Sequence, residues 1–271
     1  METYCEIQIT ALPQLQESLI AELSQIGYDG FEESAEQLTA YIEAKHFDEN
    51  ELNIILNKYN VKYSKSILSE QNWNQIWESN FEPVQVEDFV GVRAAFHSPF
   101  TNVRHELVIT PKMSFGTGHH ATTYLVMQLM RELEFKDASV FDFGTGTGIL
   151  AILAEKLGAA RVLAVDNDEW CIRNAEENIL VNNCKNVEIQ NVSSFLENEM
   201  FTIILANINR NIILDNFQVL RKSLTANGRL VLSGLLVTDE ADITKAASEL
   251  GLTHLRTLEK NGWIAAEYFV K

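Results

Sequence analysis

Asp142-Phe-Gly144-Thr-Gly146-Thr-Gly148 places three glycines at alternate positions between an apolar run, 140–143, and a helix-forming run, 149–157. A strand, a turn with little side-chain bulk and a helix, in that order, let the backbone approach a ligand closely. Unpaired helix N–H groups then aim at that ligand. The next apolar run, 161–165, ends in Asp166, about twenty residues past the glycines. A carboxylate there is placed to accept hydrogen bonds from both hydroxyls of a ribose. A nucleoside-containing cofactor is the expected ligand.

The glycine spacing narrows the choice. The dinucleotide fingerprint is Gly-x-Gly-x-x-Gly, whereas this chain has Gly-x-Gly-x-Gly and Ile149 where the third glycine of that fingerprint would stand. Asp-x-Gly-x-Gly-x-Gly followed by an acidic strand end is the S-adenosylmethionine pattern, and an NAD-dependent oxidoreductase is disfavoured. That cofactor carries a carboxylate and an ammonium in place of a pyrophosphate, so Asp142 is read as meeting the ammonium, directly or through water, with Gly146 in the turn beside it.

Upstream, Phe115-Gly-Thr-Gly118 has the composition of a loop that closes over a ligand, with Phe115 as an apolar cover. Thr122 and Thr123 suit helix capping, and a hydroxyl there could also meet the ligand. His119 and His120 invite a metal reading, but adjacent residues rarely ligate one ion and no Cys or carboxylate pattern completes a site. No metal is expected. Asn207 follows the apolar run 201–206 and so falls at the carboxyl edge of a sheet, where ligands of such folds bind. Its amide is a candidate for orienting a substrate amine; contact with the cofactor alone, or capping of the next helix, explains it equally well.

The elements that must hold these residues alternate. Strands are expected near 140–143, 161–165, 187–192, 201–206 and 228–233, with helices at 124–133, 149–157, 169–183, 211–224 and 239–250. This is an α/β pattern: a Rossmann-like domain with a seven-stranded, mostly parallel sheet covered by helices on both faces. Two closing strands, 254–258 and 263–270, have no helix between them and suggest an antiparallel edge. Ahead of this domain, strands are also expected over 84–97 and 106–110.

The first 68 residues have their own order. Cys5, Ile7 and Ile9 alternate with polar residues as in a half-buried strand, and Pro13 opens a helix carrying Leu15, Leu19 and Leu23. Two strands, 31–34 and 38–44, then a helix capped by Asp48 and a strand at 61–68 complete a β-α-β-β-α-β series, that of a ferredoxin-like α+β domain. Residues 1–68 are thus read as a recognition domain, 69–82 as a linker helix bearing Trp73 and Trp77 on one face, and 83–271 as the catalytic domain.

Composition limits the setting. Of 271 residues, 38 are acidic and 21 basic, a formal net charge of −17 that repels phosphate backbones and favours a basic partner over nucleic acid. Three cysteines without Cys-x-x-Cys spacing fit a reducing cytoplasm, and no apolar run reaches the about 20 residues of a membrane helix. The first residues lack a basic segment followed by an apolar run, so no targeting peptide is expected.

Taken together, Phe115-Gly-Thr-Gly-x-His120-x-Thr-Thr123, Asp142-Phe-Gly-x-Gly-x-Gly148-Ile-Leu-Ala151, Gly158-Ala-Ala160, Asn207-Ile208 and the connector Trp73-Asn-x-x-Trp77-x-x-x-Phe81-x-Pro83 resemble the bacterial ribosomal protein L11 methyltransferase family over most of the chain. The resemblance implies a class I methyltransferase that modifies lysine side chains and an N-terminal amine of the large-subunit ribosomal protein L11. It also implies contacts with S-adenosylmethionine from Thr123, Gly144, Asp166 and Asn207. The alternatives are a methyltransferase of the same fold acting on another protein or a small amine, and a ribosome-associated binding protein without turnover.

Overall fold

The computed structural model describes residues 4–28, 30–34, 36–68, 82–110, 118, 120–192 and 199–271. The chain divides into two compact units, Met1–Asn80 and Phe81–Lys271. The expected linker helix, with Trp73 and Trp77, and Phe115 and His119 lie outside the described residues.

In the first unit, β1 (Tyr4–Thr10), α1 (Pro13–Gln25), β2 (Gly30–Glu33), β3 (Gln37–Glu43), α2 (Glu49–Tyr59) and β4 (Tyr63–Leu68) follow one another. The sheet order is β2-β3-β1-β4, and every pairing is antiparallel. Period-two burial explains the layering. Cys5, Ile7 and Ile9 of β1 and Leu38, Ala40 and Ile42 of β3 join Leu19 and Leu23 of α1 and Leu52, Ile55 and Leu56 of α2 in one core. Asp48 caps α2 as expected: its carboxylate accepts from the amides of Asn50 at 2.7 Å and Glu51 at 3.2 Å.

The second unit opens with β5 (Val84–Val86), β6 (Val90–Arg93) and β7 (His105–Val108), where β5 pairs antiparallel and β7 parallel to β6. The strand expected to run to residue 97 stops at Arg93, because the chain turns there. His97 N–H donates to Ala94 O at 3.2 Å, and the Arg93 guanidinium donates to Ala94 O, His97 O and Glu106 Oε1. Helix α3 (Ala121–Met130) begins three residues ahead of the expected position because His120, rather than either threonine, is its N-cap.

The main sheet is built from β8 (Ser139–Phe143), β9 (Arg161–Asp166), β10 (Val187–Asn191), β11 (Phe201–Asn207), β12 (Leu224–Leu236), β13 (Leu252–Lys260) and β14 (Trp263–Val270). Helices α4 (Ile149–Lys156), α5 (Glu169–Val181), α6 (Arg210–Lys222) and α7 (Glu240–Glu249) connect it. The order is β10-β9-β8-β11-β12-β14-β13. Neighbours from β10 to β12 are parallel, and β14 lies antiparallel between β12 and β13. The apolar strands feed two cores by alternation. Val140, Val162, Ala164, Ile203 and Leu205 face α3 and α4 on one side. Phe141, Leu163, Val165, Ile204 and Ala206 face α6 and α7 on the other. Burial on both faces is why these strands read as continuous apolar runs.

Strand order reverses between β8 and β11, the adjacent centre strands, so the crevice beyond their carboxyl ends is where this architecture places a ligand. No described helix is long and apolar enough to cross a membrane. None of the three cysteines forms a disulfide.

Candidate functional site

β8 delivers the chain to the crevice and the three glycines turn it back. Gly144, Gly146 and Gly148 have φ of 76°, 56° and 79°, a region open to glycine at little cost, and α4 begins directly after. The amides of Gly144 and Thr145 both donate to Val165 O at 2.9 Å, which ties the turn to the end of β9. Asp166 completes the tie: its Oδ2 accepts from Gly146 N at 2.9 Å and its Oδ1 from Asp168 N at 3.1 Å. A carboxylate has about four lone-pair sites, so both oxygens retain capacity for a ligand's hydroxyls. Asn178 of α5 braces the turn from behind. Its Nδ2 donates to Thr147 O and its Oδ1 accepts from Thr110 N, each at 2.8 Å.

The crevice is a cavity of about 610 Å³, within the size range of small-molecule sites. Thr123, Gly144, Gly146, Asp166 and Asn207, five residues singled out by the sequence, line it together. Asn207 ends β11, is 8% exposed, and donates from Nδ2 to Thr123 Oγ1 at 3.2 Å. Its Oδ1 is buried without a hydrogen-bond partner among the described residues, an acceptor held in reserve beside the cavity. Capping of the next helix falls to Asn209 instead, whose Oδ1 accepts from Ile212 N at 3.1 Å.

Asp142 does not line the cavity. It is 1% exposed beneath the turn, where Oδ2 accepts from Thr145 Oγ1 at 2.6 Å and Oδ1 has no partner. The direction of its side chain follows from the strand pleat, which sends residue 142 to the same side as Val140, and Thr145 forms the cavity wall in front of it. Burial pushes its carboxyl up to about 7, with the Asp166 charge adding to the rise and the Thr145 hydroxyl opposing it.

Because that pKa is raised from 3.8, the unfolded chain releases this proton at lower pH than the folded one, so stability falls as pH rises from about 4 to about 7. Asp142→Asn removes the penalty. Thermal unfolding of both proteins should show the variant's advantage growing from pH 5 to pH 7, to at most about 4 kcal/mol, and levelling above. A difference that stays constant with pH would remove the ionisation of Asp142 from the stability balance.

The sequence reading missed part of the wall. His120, Ile208, Gly234 and Trp263 also line the cavity. The His120 and Trp263 rings meet edge to face at 4.7 Å, and burial lowers the imidazole pKa, which favours its neutral form. Its Nδ1 stands 2.7 Å from Thr122 Oγ1. Among the described residues no cluster of three or more His, Cys, Asp or Glu is placed to hold a metal ion.

The family described as "Ribosomal protein L11 methyltransferase (PrmA)" matches residues 3–269. The ribosomal protein L11 methyltransferase of Porphyromonas gingivalis is 41% identical over 258 residues, 92% of this chain and 89% of that protein. The chain belongs to the ribosomal protein L11 methyltransferase family. Another member, from Bacteroides thetaiotaomicron, is 36% identical over 258 residues and 92% of each chain. The crystal structure of a ribosomal protein L11 methylase from Lactobacillus delbrueckii subsp. bulgaricus matches with a TM-score of 0.64 at 28% identity, over 70% of this chain and 100% of that one. The seven-stranded α/β domain is that of the class I methyltransferases. Within this family member, the glycine turn, Asp166 and Asn207 occupy the crevice at the reversal of strand order.

Proposed function

We infer that this chain transfers methyl groups from S-adenosylmethionine to lysine side-chain and N-terminal amines of ribosomal protein L11. The observation that carries the reading is one cavity at the carboxyl ends of β8 and β11 that brings Asp166, the glycine turn and the unpartnered Asn207 Oδ1 together. The residues fit the cofactor. Two carboxylate oxygens with spare lone pairs suit ribose hydroxyls, and a turn without side chains admits close backbone contact.

Bound S-adenosylmethionine supplies a methyl group already made electrophilic by its sulfonium. The chain's contribution is alignment and desolvation. Asp166 holds the ribose end, and the Gly144–Gly148 turn holds the backbone close. Thr123 fixes the Asn207 amide so that Oδ1, an acceptor, can take an N–H of the incoming amine while leaving its lone pair free. A free lysine amine has a pKa of about 10.4 and arrives protonated. Burial against the Trp263 and Ile208 surface favours the neutral form, and the proton passes to water. Asp166 is assigned to the ribose, and deprotonation is assigned to desolvation.

The first unit is assigned a ferredoxin-like fold on its β2-β3-β1-β4 order and two helices, and the role of grasping the substrate protein. A formal charge of −17 suits a basic protein partner and disfavours direct contact with nucleic acid, and three cysteines outside disulfides fit a reducing cytoplasm. The test is incubation with methyl-labelled S-adenosylmethionine and ribosomal proteins from a matched source. Label on L11, located by mass to lysine and N-terminal amines, supports the reading. Label confined to another protein or to a small amine replaces the substrate, and no label with intact cofactor binding makes the chain a binding protein.

A further inference from the structure

The register of β12 against β14 shifts between Ser233 and Leu235, which makes Gly234 the extra residue of a β-bulge, with φ of 81°. A methyl group on Gly234 would collide with main chain, not with a side chain that can turn away. The Ile208 carbonyl carbon would lie at 2.7 Å and its amide nitrogen at 3.0 Å, with the carbonyl oxygen closer still. From the opposite side, a methyl group on Gly144 would overlap Ile208 Cγ2. Ile208 follows directly on β11, so a glycine within β12 and another just past the end of β8 make the space in which it sits. Its N–H donates to Ser233 O at 3.2 Å, which pins the peptide against the bulge. The adjoining Asn207 then needs only the Thr123 contact to fix its amide.

Positive φ alone does not explain Gly234. Gly251 and Gly262 share it, with φ of 76° and 79°, yet a methyl group on either meets nothing within 4 Å. Gly234 lines the cavity, and the other two do not.

We propose that Gly234 is a positioning residue of the methyl-transfer site: by leaving room for the Ile208 peptide it sets where the Asn207 amide stands. The inference rests on the methyltransferase reading above and deepens it, since the bulge acts on the amine-orienting group and not on the ribose end of the cavity. Gly234→Ala displaces the 207–208 peptide, while Asp166, held by the amides of Gly146 and Asp168, stays in place.

The test compares Gly234→Ala with Gly251→Ala, which carries the same backbone strain without the collision. In the cofactor-free proteins, exchange of the Ile208 amide hydrogen is expected to speed up at least about tenfold in Gly234→Ala only, because its bond to Ser233 is lost. At saturating S-adenosylmethionine and L11, kcat should fall at least about tenfold while S-adenosylhomocysteine affinity stays within about threefold, the split of a misplaced reacting group. Should Gly234→Ala fail to fold, hydrogen exchange in the unsubstituted protein decides whether the Ile208 peptide is seated against the bulge: its amide must exchange at least about tenfold more slowly than an unstructured amide. Exchange and kcat in Gly234→Ala within about twofold of Gly251→Ala, or an unprotected Ile208 amide in the unsubstituted protein, overturn the proposal. If the unsubstituted enzyme transfers no methyl group to L11, the functional reading fails, and the exchange comparison still decides whether Gly234 seats the Ile208 peptide.

Discussion

Asp166→Ala is expected to weaken S-adenosylmethionine binding at least about a hundredfold, a loss that titration calorimetry would read. Two hydroxyl-to-carboxylate hydrogen bonds, each worth about 1.5–3 kcal/mol, are lost together, and a hundredfold needs only about 2.7 kcal/mol. The turn suffers as well, because Gly146 N and Asp168 N lose the acceptors they hold at 2.9 Å and 3.1 Å. Asp166→Asn separates the two contributions. Its one remaining oxygen can still serve Gly146 N–H while the second acceptor becomes a donor, so the loss should be intermediate, about tenfold. Unchanged affinity in the alanine variant would take Asp166 out of the ribose site.

Removing residues 1–68 is expected to leave cofactor affinity within a few-fold and to lower methylation of L11 at least about a thousandfold. The structural basis is a separation of cores. The Ile7, Leu19, Leu38 and Leu52 cluster shares no residue with the two clusters that pack against the main sheet. Every described residue lining the cavity belongs to Phe81–Lys271. Binding energy from a remote part of the substrate serves to hold the reacting amine in place, so its loss appears in transfer and not in cofactor binding. Calorimetry with S-adenosylmethionine and a transfer assay on L11, run on one preparation, check both halves. Full transfer by the shortened chain would refute the recognition role.

The site was legible where its demands are local. Three glycines at alternate positions announce a turn of positive φ, and the structure holds them at 76°, 56° and 79°. An acidic residue closing the next strand announces a carboxylate beside the turn, and Asp166 lines the cavity there because β8 and β9 are hydrogen-bonded neighbours in register. Helix and strand periods were equally plain, as in the Cys5, Ile7, Ile9 alternation and the Asp48 cap. Where a polar turn competes with strand propensity, as at Ala94 to His97, the apolar pattern ran too far.

Placement across the sheet was not legible. Composition put a carboxylate, Asp142, beside the turn, but the pleat of β8 and the Thr145 hydroxyl put it beneath. The closing hairpin forms the expected antiparallel edge, but its order, with β14 inside and β13 at the rim, is set by the pairing of β14 with β12. Gly234 reads in sequence as a strand-end glycine among others, and only the approach of the Ile208 peptide separates it from Gly251.

Strand, turn and helix, the methyl donor's pattern and the carboxylate that ends the next strand are written in residues within about twenty positions of each other, because backbone dihedral preference and side-chain period act over short separations. The chamber opposite is assembled from residues far apart in the chain: Thr123 and Asn207 are 84 positions apart, and His120 meets Trp263. Their juxtaposition depends on strand order and side-chain packing, which act through space, so only the folded chain brings the Asn207 amide to the glycine turn.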